Sequence, residues 1–199
     1  MTPSNAHFWY GLAAVVGGVL FTVSDVITLL ISNPNDPSHE ISAEAYAGWA
    51  ALSLFTLALL QVALIGLYAP QRESAGTLGW VGFFLAFFGM AVAFFVVLIY
   101  ALVASPGTAD EPELLGGGPP GAFLKYFPLF TLGWLLLGVV FLRSRVYPRA
   151  AALLLMVGAV LVLHPHPITN VVFSVALAWL GLTLLSRRDP RREQPQRVI

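Results

Sequence analysis

Six apolar stretches, at residues 8–31, 46–69, 78–104, 122–142, 148–163 and 168–185, occupy most of this chain. A helix rising about 1.5 Å per residue needs roughly 20 residues to cross the hydrocarbon core of a bilayer. Each stretch meets or approaches that length. Only 10% of the residues are charged and 58% are hydrophobic, against about 25% charged in an average soluble domain. The polar side chains are too few to cover a water-facing surface. The pattern predicts an all-α polytopic membrane protein, a bundle of six transmembrane helices, with the bilayer as its main partner. A basic tail follows at 186–199.

The third stretch is the longest and is expected to tilt. The fifth is short, and His164-Pro165-His166-Pro167 behind it cannot continue a helix, so a tight turn should join stretches five and six. The first stretch has no Lys or Arg before it and exceeds the apolar core of a signal peptide. It is expected to stay in the mature protein.

Charge sets the orientation. Nine of the ten basic residues fall on one side of a six-span arrangement: Arg72, Arg143, Arg145, Arg149 and the tail arginines 187, 188, 191, 192 and 197. The two long loops on the other side carry Asp36, Glu40, Glu44, Asp110, Glu111 and Glu113, and no Lys or Arg. The positive-inside rule then puts both termini in the cytoplasm of a plasma membrane. Arginine outnumbers lysine nine to one, a composition in keeping with a bacterial source. All six tyrosines lie near predicted span ends, as do Trp9, Trp49 and Trp80, where an interfacial aromatic belt is expected.

Small residues four apart mark where helices approach closely in lipid. Ala13 with Gly17, Ala14 with Gly18, Gly82 with Ala86, and Gly89 with Ala93 are such pairs. They suit contacts within one subunit or a homo-oligomer face equally. Leu54-Phe55-Thr56-Leu57 repeats as Leu129-Phe130-Thr131-Leu132, which fits duplicated hairpins. Pro128 should kink the fourth helix.

Two ionisable residues lie inside spans. Asp25 is about 9 Å, and Lys125 about 5 Å, from the same predicted outer boundary. A charge at a helix centre costs roughly 2.5–3.5 kcal/mol on insertion scales, so such groups seek partners. An ion pair between Asp25 and Lys125 is one expectation. The plainer alternatives are a snorkelling Lys125, and an Asp25 that sits protonated or bonds to a neighbouring helix through Ser24 and Thr22. His164, His166, Thr169 and Asn170 from the last turn, with Ser53 from the second span, fall near the same level. Together they are candidates for a ligand-binding pocket. His164 and His166 alone make a weak metal motif, and no metal is expected there. Gln61 suits an interhelical hydrogen bond.

Signatures of catalysis are missing. His39-Glu40 starts a zincin pattern, but position 43 is Ala. No nucleophile elbow or P-loop occurs, and the Gly116-Gly117-Gly118 run leads into two prolines. The chain has no cysteine, so thiolate metal sites and disulfides are excluded. No cofactor and no nucleic-acid partner are expected.

The segment RSRVYPRAAALLLMVGA, a proline-broken turn and VALAWLGLTLLSRR resemble the last third of uncharacterised six-helix membrane proteins of bacteria. The resemblance implies a helical membrane fold and carries over no site residue. Three roles fit the residues. The leading one is a non-catalytic membrane protein that binds a protein partner, a lipid or a small ligand. The next is a small carrier or channel-like protein with Asp25 as its polar centre. The last is an intramembrane enzyme.

Overall fold

A computed structural model of the chain describes residues 3–31, 43–103, 118–163 and 167–186. The described residues form six α-helices and no strand. They are α1 (Pro3–Ile31), α2 (Ala43–Tyr68), α3 (Gly76–Val103), α4 (Gly118–Ser144), α5 (Arg149–Leu161) and α6 (Pro167–Leu185). Helices satisfy their backbone groups internally, which is what an apolar solvent demands. Pro3 and Pro167 open α1 and α6, where a missing N–H is harmless. Pro128 lies inside α4.

The turns have clear causes. A single 3-10 turn, Ala69–Gln71, ends α2, and Gly76 opens α3 with φ +56°, a conformation that favours glycine. Arg145 also adopts a left-handed φ of +53° just past the end of α4, which stops that helix. Pro148 then takes an extended ψ and α5 begins.

Each helix packs on the next in sequence, and α6 packs back on α1. The result is a closed up-and-down ring, with α2 and α6 also in contact. Its centre is filled by side chains. Trp134, Leu137, Phe141 and Phe173 are fully buried. Phe173 is the hub: its ring meets Phe130 and Trp134 of α4 at 5.5 and 5.3 Å, and Phe21 of α1 at 6.0 Å. Gly158 of α5 lies against its backbone, so a Cβ there would sit 2.6 Å from the Phe173 Cα.

The outside is as apolar as the inside. Val19, Val23 and Val26 on α1, Phe88 and Phe95 on α3, Val157 and Val160 on α5, and Val175 and Leu182 on α6 are all exposed. A water-facing surface does not carry such a belt on helix after helix. Three apolar segments, Ala6–Ile27, Ala47–Gln71 and Gly76–Ile99, are long enough to cross a bilayer. The chain is a helical membrane protein.

The small residues serve contacts within the subunit. On α1, Gly17 faces Leu59 and Leu60 of α2, while Gly18 faces Ser174 and Leu177 of α6. Adjacent small pairs thus seat two different neighbours. On α3, Gly82 and Gly89 face Leu136 and Phe130 of α4.

Two sequence expectations change here. Tyr68, Tyr147 and Trp49 keep their places near helix ends, but their side chains are buried and do not form an outward-facing belt. The Tyr147 hydroxyl donates to the Leu67 carbonyl at 2.9 Å, the partner that a buried Tyr hydroxyl needs. Trp9 and Trp80 remain exposed. In the repeated Leu-Phe-Thr-Leu segment, Phe55 is exposed and Phe130 is core, so the two copies do not occupy equivalent places.

One end of the bundle is tied by polar bonds. Gln71 is buried; its Nε2 donates to the Leu67 carbonyl at 3.2 Å, and its Oε1 accepts from Ser144 Oγ at 3.0 Å. These bonds join the α2–α3 turn to the end of α4, so Arg72, Arg143, Arg145 and Arg149 cluster at one end, all exposed.

Candidate polar site in the seam between α1 and α6

Gly11, Gly18 and Asp25 are spaced seven apart, which puts them on one face of α1. That face meets α6 in antiparallel register. A Cβ on Gly11 would sit 2.9 Å from the Gly181 carbonyl oxygen, and one on Gly18 would sit 2.8 Å from the Ser174 carbonyl oxygen. At the third step of the column Asp25 meets Asn170, whose side chain hydrogen-bonds it. The two glycines bring the backbones together, and the carboxylate is carried against α6 by the same periodicity.

Asn170, Ser174, Leu177 and Gly181 give α6 the matching 4-3-4 spacing. Ser174 lies one turn from Asn170, toward the Gly18 contact. It is nine-tenths buried or more, at 4% exposed. Among the described residues its Oγ has no hydrogen-bond partner, nor do Asp25 Oδ2 and Asn170 Oδ1, and all three atoms are buried. Since the Asn170 oxygen is unpartnered, its Nδ2 is the group that donates to the carboxylate. Trp134 Nε1, beside Phe173 in the core, is a further buried polar atom with no partner.

On the adjacent face of α1, Ser24 Oγ lies 2.8 Å from Ser53 Oγ of α2. One step of an α-helix turns about 100°, so neighbouring residues 24 and 25 reach two different helices. Ser24 therefore serves a satisfied hydroxyl pair toward α2, while Asp25 faces Asn170 of α6. Elsewhere Thr131 of α4 donates to the Ala159 carbonyl of α5 at 3.1 Å.

Of the residues singled out by sequence, Asp25 and Asn170 are brought together. Ser53 is near but engaged with Ser24. Lys125 lies on α4, which packs on α3 and α5; its side chain, and that of Thr169, lie outside the described residues, as do His164 and His166. Ser174 was missed. Its signal was available as a polar residue one turn after Asn170 in an otherwise apolar helix. Gln71 was also missed, because it lies in a turn where a polar residue is ordinary.

No protein-family model matches the chain, and no solved structure matches it. The chain is similar to the probable potassium transport system protein Kup of Azoarcus sp. (strain BH72), at 30% identity over 145 residues. The match covers 70% of this chain and 20% of that protein, so the chain spans about a fifth of that relative's length.

Proposed function

We propose that this protein is a multi-pass plasma-membrane transport component that handles a small cation, with Asp25 as its polar centre. The observation that carries the reading is a carboxylate inside an apolar helix with one buried oxygen left without a partner among the described residues. Ionisable groups inside a membrane are costly to keep, and they mark ion and substrate pathways. Similarity to a protein named as a potassium transporter supports the same class. The packed ring centre argues against an axial pore, so the pathway runs along the seam between α1 and α6. Both termini face the cytoplasm in this reading, with the arginine-bearing end inward.

Reconstitution into liposomes tests it. Purified protein should carry rubidium-86 down a gradient, and Asp25→Asn should lower the rate about tenfold or more. Equal flux in protein-free vesicles would end the reading. A second reading, a non-catalytic membrane protein binding a lipid, a small ligand or a protein partner, draws on the filled core and continuous apolar exterior. It predicts a copurifying lipid or protein and no flux.

A further inference from the structure

We infer that Asp25 Oδ2, Asn170 Oδ1 and Ser174 Oγ form a binding site for one partly dehydrated monovalent alkali cation in the seam between α1 and α6. This deepens the transport reading and rests on it for the direction of ion movement, though not for binding itself.

The three atoms share one deficiency. Each is an oxygen, each is buried, and none has a hydrogen-bond partner among the described residues. Two of them, the carboxylate and amide oxygens, act only as acceptors when the acid is ionised. What the cluster lacks is positive charge or donors. Burying such groups unpaired costs free energy that a bound cation recovers. The Asn170 amide already donates to Asp25, so its carbonyl oxygen is not used in that bond and remains an acceptor. Ser174 is placed by the α6 backbone one turn further along, with its carbonyl against Gly18.

The charge count selects the ion. One carboxylate and two neutral oxygens balance a single positive charge, and a divalent ion would leave one charge uncompensated in an apolar seam. Among the described residues no three His, Cys, Asp or Glu side chains converge, so the donors are hard oxygens without imidazole or thiolate. Such donors suit alkali ions over transition metals. Asp25 itself is half-buried, which leaves an edge by which an ion enters.

The test is equilibrium binding of sodium-22 and rubidium-86 to the full chain in nanodiscs, with choline as the non-binding control ion. The expected result is saturable binding of at least one of the two ions at one per chain, unaffected by choline. Ser174→Ala should weaken it about tenfold, the loss of one ligand, and Asp25→Asn should abolish it. Thr131→Val, in the α4–α5 contact away from the seam, should leave it unchanged. If Ser174→Ala does not fold, Asn170→Ala is read the same way. No saturable binding of either ion, or unchanged affinity in Ser174→Ala, overturns the site. So does binding that protons alone compete for and alkali ions do not. Binding without flux in liposomes keeps the site and removes the transport reading. Flux that survives both Asp25→Asn and Ser174→Ala keeps transport and removes the site.

Discussion

The backbone of Gly133 on α4 lies against the backbone of Ala86 on α3, so closely that a Cβ at position 133 would overlap the Ala86 amide nitrogen. Neither residue brings a polar bond to the contact. Its value is the approach itself, which lets two long helices bury side chains such as Phe130 and Met90 against each other.

Gly133→Ala should therefore destabilise the bundle by about 1–3 kcal/mol, since backbone on both sides must move. Gly48 on α2 has nothing within 4 Å of a built Cβ, and Gly48→Ala should stabilise by roughly 0.5–1 kcal/mol through helix propensity. Thermal unfolding in detergent reads both. Equal midpoints for the two variants would show that the α3–α4 contact is looser than described.

Phe173 joins rings from α1 and α4 and lies against Gly158 of α5. Phe173→Ala should cost about 3–5 kcal/mol, and Phe173→Leu distinctly less. Size-exclusion profiles and unfolding midpoints measure the difference. A Phe173→Ala protein as stable as Phe173→Leu would contradict the hub.

Tyr147→Phe removes the donor to the Leu67 carbonyl, which also accepts from Gln71 Nε2. That carbonyl keeps one partner, so the expected loss is only about 0.5–1 kcal/mol. Ser144→Ala instead takes the hydroxyl donor from Gln71 Oε1, a side chain 1% exposed, and should cost more, about 1–3 kcal/mol. The order of the two midpoints is the check.

Asp25→Asn and Asn170→Leu should be coupled by about 0.5–2 kcal/mol in a double-mutant cycle on stability. Asp25→Asn with Lys125→Met should show less than about 0.5 kcal/mol, because α1 packs on α2 and α6, and α4 on α3 and α5. A larger coupling with Lys125 than with Asn170 would support the Asp25–Lys125 ion pair instead.

Much of the architecture was legible from one dimension. Apolar length marked the helices, and the prolines after the fifth stretch marked the break before α6. The four-residue spacing of Ala13 with Gly17 and Ala14 with Gly18 marked close approach. Asn170 was gathered with Asp25 because both fall at one depth, and depth follows from counting residues at a fixed rise per residue.

The partners of Asp25 were decided only in three dimensions. In water an amphipathic helix announces its buried face by polarity. Here Val19 and Val23 face outward while Ala13 and Ala14 face inward, and both kinds are apolar. Hydrophobicity therefore leaves the rotation of each helix about its axis undetermined. That rotation is set by fit: Gly11 and Gly18 must lie against α6 for the backbones to close, and Asp25, seven residues on, is turned with them toward Asn170. The sequence determined that a carboxylate would lie inside the membrane; close packing of small residues decided what it would face.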